Sequence, residues 1–252
     1  MRFFPVGQGD ATLVTLADDA RILIDAGRDG RTAELLYGAL PFFDRRIDVL
    51  IISHADTDHI GGAVEVLEKF PTGLILFNGR PETEPGWLEI LEKAKEKGIP
   101  VLPVSGGDSL RYGDASLKVL WPEGPRNDVE TLEDNDASLV LMLEAENVRA
   151  LFTGDIGFGP ENAMTGGDRV RADVLKVSHH GSPNASGYYF IEAVRPSVSV
   201  VSVGENRYGH PSERVLDRLS RAGSQVYRTD ADGEVHIRAR NGVVEVLSCG
   251  SE

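Results

Sequence analysis

The run Ser53-His54-Ala55-Asp56-Thr57-Asp58-His59-Ile60-Gly61-Gly62 places four potential metal ligands, His54, Asp56, Asp58 and His59, within six residues. Two carboxylates crowded together repel, and two neutral imidazoles need partners. A divalent cation removes both problems. A cation bound there can lower the pKa of water and neutralise charge on a ligand. A calcium loop does not fit: calcium prefers oxygen, and the glycine and terminal glutamate of an EF-hand are not at their positions. Four ligand-type side chains are too many for one ordinary zinc centre once partners elsewhere are added, so the run points to two metals sharing a bridging carboxylate. Gly61 and Gly62 are read as letting the chain turn sharply into a helix.

Three further clusters supply partners. Phe152-Thr153-Gly154-Asp155 ends an apolar strand, where a carboxylate is well placed to bridge two ions; the alternative is an ordinary helix cap. Ser178-His179-His180-Gly181-Ser182 ends another strand. Adjacent histidines on opposite sides of a chain can hardly bind the same metal, so one is a ligand and the other supports a ligand or meets substrate. Asn206-Arg207-Tyr208-Gly209-His210-Pro211 lies at a third strand-to-helix junction. Five of the six histidines fall in such junctions, and His236, in a plain strand, reads as structural. His210, and after it the tandem histidine left unliganded, is the candidate proton donor to a leaving oxygen. Lys176 and Arg207 are candidate phosphate contacts, a snorkelling surface lysine being the alternative for Lys176. Gly7-Gln8-Gly9-Asp10 lacks the Gly-Lys-Ser/Thr of a phosphate-binding loop. It reads as a tight turn beside the site, with Asp10 supporting a ligand.

Strands are expected at 11–16 and 20–24, joined as a hairpin through Asp18-Asp19, and at 47–52, whose continuous apolar run suits a strand covered on both faces. Helices follow from apolar spacing at 62–70 and 87–97, the latter closed by Gly98 and Pro100. Further strands are expected at 116–121, 138–144, 148–153, 174–178 and 197–203. Helices are expected at 187–194 and 212–222, before terminal strands at 225–228, 235–238 and 243–247. The polar run Pro122 to Asp136 reads as a surface loop or as a flap over a site. Meanders mixed with helical crossovers in both halves predict an α/β fold in which two sheets pack face to face with helices outside. That is an αββα four-layer sandwich, read as a single domain over residues 1–252.

Composition narrows the function classes. With 41% hydrophobic and 26% charged residues, the 252-residue chain has the make-up of a folded globular protein. No apolar run approaches the roughly 18 residues of a membrane helix, and the N-terminal residues lack the apolar stretch of a signal peptide. One cysteine, Cys249, excludes an internal disulfide framework and a cysteine-rich zinc site. A net charge of −14 excludes a broad basic surface for nucleic acid but not a local basic strip.

Together the motifs resemble the metallo-β-lactamase superfamily. Its signature His-x-His-x-Asp-His stands here as His54-Ala55-Asp56-Thr57-Asp58-His59, with Asp56 replacing the second histidine. With Val6-Gly7-Gln8-Gly9-Asp10-Ala11, Thr153-Gly154-Asp155-Ile156, Leu175 to Ser182, Tyr208-Gly209-His210-Pro211 and Arg228-Thr229-Asp230, the chain is similar to the soluble hydrolase domain of ComEC-type competence proteins, from Phe4 to about Ile237. The resemblance implies an αββα fold with one metal on His54, Asp56 and Asp155. The other would sit on Asp58, His59, Asp155 and one tandem histidine. His180 is favoured because the superfamily's last histidine ligand is commonly followed by glycine; strand alternation favours His179, on the side of Leu175 and Val177. A further superfamily histidine is absent, since none lies between His59 and His179, and Asn135, Asp136 and Ser138 occupy that region. The donor set of Asp56, Asp58, Asp155, His54, His59 and His180 suits Mn²⁺ or Zn²⁺.

The activity the resemblance implies is a DNA phosphodiesterase, or nuclease, that uses a dinuclear metal-activated hydroxide, with Asp58, His210 and His179 in catalytic roles. Two other readings are hydrolysis of another ester or amide (a β-lactam, lactone or thioester) and a non-catalytic binding module of a DNA-uptake assembly. Implied partners are DNA as substrate and the membrane channel portion of a competence protein, with no membrane insertion by this chain. A stand-alone chain would be cytoplasmic, whereas a piece of a competence membrane protein would lie outside the cytoplasmic membrane.

Overall fold

A computed structural model describes residues 1–248 apart from Glu82 and Pro125. Cys249 lies outside the described residues. The first sheet is built from β1 (Arg2–Phe3), β2 (Thr12–Thr15), β3 (Arg21–Ile24), β4 (Ile47–Ile52), β5 (Thr72–Phe77) and β6 (Val101–Pro103). Between these strands lie α1 (Arg31–Ala39), α2 (Thr57–Ile60), α3 (Ala63–Lys69) and α4 (Pro85–Lys97). The second sheet takes β7 (Ser109–Tyr112), β8 (Ala115–Trp121), β9 (Val140–Ala145), β10 (Val148–Phe152), β11 (Val174–Lys176), β12 (Val198–Val201) and β13 (Gln225–Arg228). Its helices are α5 (Phe158–Met164), α6 (Tyr188–Val194) and α7 (Glu213–Arg221), and a short α8 (Thr229–Asp232) follows β13. Finally β14 (Val235–Arg240) and β15 (Val243–Ser248) return beside β1, so the first sheet runs β15-β14-β1-β2-β3-β4-β5-β6 and the second β13-β12-β11-β10-β9-β8-β7.

Period-two alternation divides the apolar residues among three cores. On β4, Ile47, Leu50 and Ile52 pack under the helices α1, α3 and α4, while Val49 and Ile51 face the other sheet. On β10 and β12, Ala150, Phe152, Val198 and Val200 fill the space between sheets, and Leu151 and Val201 face α5 to α7. This is the expected αββα sandwich. The helix α4 ends as its sequence dictates, with Gly98 in the left-handed conformation at φ 66°.

The element boundaries depart from the sequence expectation in the short pieces. The helices α1, α2, α5 and α8 and the strands β1, β5, β6 and β7 lie outside the sequence expectation. Of these, β5 (TGLILF) carries a plain apolar run, whereas Gly159 weakens the propensity of α5, whose first turn accommodates Pro160. Strand β9 begins at Val140 rather than Ser138, because the preceding residues form a 3₁₀ turn, Asn135–Ala137.

β3 to β6 run parallel, as do β10 to β13. Parallel strands deliver their following loops to one edge, so the residues after β3, β4, β10, β11 and β12 meet at a common rim. The inter-sheet core sets the spacing of that rim. Replacing fully buried Ile51 by alanine is expected to cost about 2–5 kcal/mol, seen as a lower urea midpoint at unchanged slope. Half-exposed Leu88→Ala on α4 should stay within about 0.5 kcal/mol of the parent in the same titration.

Candidate metal centre

Asp155 stands at the middle of the rim. Its Oδ1 lies 3.4 Å from His59 Nε2 and its Oδ2 3.2 Å from His180 Nε2. Asp58 Oδ2 is 3.4 Å from His180 Nε2. The rings of His54 and His59 are 4.1 Å apart. Donor atoms of His54, His59 and Asp155 group tightly enough to hold one ion, as do those of Asp58, His59 and His180 and those of Asp10, Asp155 and His180. Asp56 belongs to none of these groups; its half-exposed carboxylate lies 3.6 Å from His54 Nε2 at the outer edge.

The hydrogen bonds around the three buried imidazoles decide which nitrogen each presents. Ser53 Oγ donates to Asp25 Oδ2 at 2.8 Å and so accepts from His54 Nδ1 at 3.0 Å. His59 Nδ1 donates to Asp25 Oδ2 at 2.9 Å, and His180 Nδ1 to the Ser202 carbonyl at 2.8 Å. Every Nδ1 is thus engaged, and the Nε2 atoms of His54, His59 and His180, with Asp155 Oδ1, are buried without a hydrogen-bond partner. Buried polar atoms are normally satisfied. Imidazoles fixed through one nitrogen, with the other aimed at a shared point beside carboxylates, fit a divalent cation.

Two residues that hold this arrangement were misread or unnoticed in the sequence. Asp25, directly after β3, adopts φ 57° and accepts from both Ser53 and His59. Its signal, a carboxylate just beyond an apolar strand, is the same one that singled out Asp155. Lys176 is neither a phosphate contact nor a snorkelling surface residue. It is buried, ion-paired with Asp10, 3.6 Å from Asp155 Oδ1, and donates to the Gly154 carbonyl at 3.0 Å. Asp10 is correspondingly buried within the cluster, and its N–H donates to the Asp58 carbonyl at 3.1 Å.

The tandem histidines separate as a pair. His180 is buried in the cluster, whereas His179 is partly exposed with Nε2 3.9 Å from Asp155. Strand alternation does not reach them, because β11 ends at Lys176 and both histidines adopt left-handed conformations, φ 48° and 52°, in a 3₁₀ turn. Buried Glu161 anchors that turn by accepting from Ser178 Oγ at 3.0 Å and from the Ser186 and Gly187 N–H groups. His210 lies outside, its ring 5.5 Å from that of His179. Arg207 is exposed, and His236 sits on β14 away from the rim.

Asn135, Asp136 and Ser138 do not join the donor groups; they brace them. Asn135 Nδ2 lies 3.3 Å from the ring nitrogens of His179, Ser138 Oγ accepts from the Asp155 N–H at 3.1 Å, and Asp136 accepts from the Gly157 N–H at 2.8 Å. The polar run before them does border a cleft of about 550 Å³ beside Asp56 and Asp58, where Asp134 pairs with Arg80 at 2.7 Å. Gly61 and Gly62 form the turn between α2 and α3, both with negative φ. They are needed because a Cβ at either would collide with the backbone of residues 26–29.

Burial pulls the His180 pKa down, but Asp155 and Asp10 outweigh it and raise it to about 10. His59 is likewise raised well above its usual value by Asp155 and Asp25 against the burial penalty. Burial opposes ionisation of Asp58, yet His180 and His59 hold it at about 2. Burial holds His179 and His210 below their usual value.

A cation entering here must displace protons from His59 and His180. Metal uptake at pH 7 is therefore expected to release protons and to tighten as pH rises from 6 to 8, read by calorimetry in buffers of different ionisation enthalpy. Because the folded pKa of His180 is raised, its stabilisation of the metal-free protein is full below about 6.5 and is lost as pH rises towards about 10. Thermal melts of metal-free protein should fall across that window. Asp25→Asn should weaken metal binding by about 10–100-fold through loss of the His59 support.

A family model described as "Metallo-beta-lactamase superfamily" matches residues 4–205. ComE operon protein 3 of Bacillus subtilis is 32% identical over 94% of this chain and 33% of its own length. Competence protein ComA of Neisseria gonorrhoeae is 31% identical over 95% of this chain and 32% of its own. The chain spans about a third of the length of these relatives. Among solved structures, Igni18, a metallo hydrolase from Ignicoccus hospitalis, superposes with a TM-score of 0.60 at 15% identity, covering 98% of both chains.

Proposed function

The chain belongs to the metallo-beta-lactamase superfamily, and we propose that it is a metal-dependent phosphodiesterase acting on DNA. Membership and the donor groups support a hydrolase that uses divalent cations. The finer reading draws on the resemblance to competence-protein hydrolase domains and on the two relatives named for competence. The observation that carries it is the convergence of three partnerless imidazole Nε2 atoms on Asp155 and Asp58.

In this reading His54, Asp56, Asp58, His59, Asp155 and His180 hold the ions, as Zn²⁺ or Mn²⁺. Bound divalent cations would supply a low pKa for water and neutralise charge on a phosphodiester oxygen. Asp25, Ser53 and the Ser202 carbonyl orient the rings, and Lys176 pairs with Asp10 beside the cluster. His179 stands between the cluster and His210. Burial holds both below their usual pKa, so either could take the proton given up by the attacking water and pass it to the leaving oxygen, which departs as a hydroxyl. In this reading His210 is the first choice of proton donor and His179, the tandem histidine nearer Asp155, the second.

The chain has no helix among the described residues long and apolar enough to cross a membrane. If it forms part of a longer competence protein, a membrane channel portion would bring it DNA.

The test is cleavage of single- and double-stranded DNA with Mn²⁺ and Zn²⁺, with metal content measured on the same sample. Asp58→Ala and Asp155→Ala should each abolish cleavage while far-ultraviolet circular dichroism stays unchanged. His210→Ala should lower kcat by about 10²–10⁴ at most, with metal occupancy intact. Full metal occupancy without cleavage of either DNA form would falsify the reading, and turnover of nitrocefin, a lactone or a thioester instead would replace it.

A further inference from the structure

Tyr208 is an exposed aromatic side chain on a loop that its own hydrogen bonds hold in place. The Asn206 carboxamide ties that loop at four points: Nδ2 donates to the Gly204 and His210 carbonyls at 2.9 and 2.8 Å, and Oδ1 accepts from the Tyr208 and His210 N–H groups, both at 3.0 Å. The loop is fixed, yet the Tyr208 side chain is 75% exposed. Its ring lies 5.7 Å from that of His210, which lies 5.5 Å from that of His179, whose Nε2 is 3.9 Å from Asp155. A row of rings therefore leads from solvent to the carboxylate at the centre of the cluster.

A large ring held out in water forgoes the roughly 1.5–3 kcal/mol that burying it would contribute. Pre-organisation of that ring at the rim of a site lowers the entropic cost of stacking something against it. The charge around the site indicates what that is. The neighbouring cleft is lined by Asp56, Asp58, Glu84 and Asp134, with Arg80 already paired to Asp134, and the chain carries −14 overall. Such a surface grips phosphates weakly, so affinity for a nucleic acid must come largely from its uncharged faces. Every base has a π-face, and stacking on an aromatic side chain is worth about 1–3 kcal/mol per base. Bases inside a duplex can offer that face only after unstacking, at a cost of a few kcal/mol. Arg207, the preceding residue in the chain, is exposed as well.

We propose that Tyr208 is a base-stacking residue through which the site selects single-stranded nucleic acid over duplex. The proposal rests on the phosphodiesterase reading for its reaction, but stacking can be measured apart from cleavage. The experiment compares the parent chain with Tyr208→Ala and Tyr208→Phe on three labelled probes: a single-stranded oligonucleotide, its duplex, and the same strand with abasic residues. Binding is followed by fluorescence anisotropy with Ca²⁺ present, and cleavage with Mn²⁺. Tyr208→Ala should lose about 5–150-fold in affinity and kcat/KM for the single strand, the equivalent of one stacked base. It should change little on the duplex or the abasic strand, and Tyr208→Phe should retain parental values.

Equal behaviour of Tyr208→Ala and the parent on the single strand overturns the proposal. So does an equal loss on normal and abasic strands. Tyr208-dependent binding without any cleavage sustains the stacking role and removes the phosphodiesterase reading; cleavage indifferent to Tyr208 does the reverse. Absence of both binding and cleavage overturns both. Unchanged thermal unfolding of Tyr208→Ala, expected for an exposed side chain, excludes misfolding as the cause.

Discussion

The Asp155 carboxylate is buried among His59, His180 and Lys176, all within 3.6 Å. Removing a carboxylate from water costs several kcal/mol unless opposite charge and hydrogen bonds replace the lost solvation, and most of the local architecture serves that replacement. The strands β3, β4, β10, β11 and β12 end at one rim so that Asp25, His54, Asp155, His180 and Ser202 can meet. Left-handed conformations at Asp25, Gly154, His179, His180 and Gly181 then fold the chain ends inward. Such conformations are uncommon outside glycine and persist where surrounding contacts over-determine them. Here Ser53 and His59 fix Asp25, and Glu161 fixes the histidine turn through Ser178.

Charge balance explains how the cluster can exist with and without ions. Formally, the carboxylates of Asp10, Asp25, Asp58 and Asp155 face Lys176 and the imidazoliums of His59 and His180 in the metal-free protein. Exchange of two imidazole protons for one divalent cation leaves the local charge unchanged. Such an exchange would leave the Nδ1 hydrogen bonds in place. Lys176 stays throughout, because its partner Asp10 and the Gly154 carbonyl are not released by the exchange.

The sandwich and the junctions were legible in the sequence because long apolar runs and polar side chains at strand ends are local signals. The runs at 47–52, 148–153 and 174–178 located β4, β10 and β11, and the clusters at 54–59, 155 and 179–180 fall at their ends. What escaped was decided by tertiary context. Lys176 reads as a surface residue by type, and only the positions of Asp10 and Asp155 make its burial tolerable. Alternation along β11 favoured His179 over His180, but the strand stops before either, and backbone conformation rather than pleat decides which ring turns inward. The helix α5 is short and carries a glycine, Gly159, in its first turn. Contacts made through Glu161, which a single sequence does not reveal, hold it in place.

One ring nitrogen cannot serve two ions, and this limits how a pair could be shared. His59 contributes to both the group with His54 and Asp155 and the group with Asp58 and His180, yet its Nδ1 is committed to Asp25 and only Nε2 is free. If Nε2 joins Asp58, His180 and Asp155, the other position retains His54, a share of Asp155, and Asp56 at the exposed edge. That second set is poorer in donors and more open to solvent. Its shortage lies where Asn135, Asp136 and Ser138 brace the rim without joining the donor groups. Were two ions held, the two positions would be unequal: a buried one rich in imidazole and carboxylate, and an outer one beside the cleft. Placing the weaker position on the open side puts the exchangeable coordination where a phosphodiester would enter.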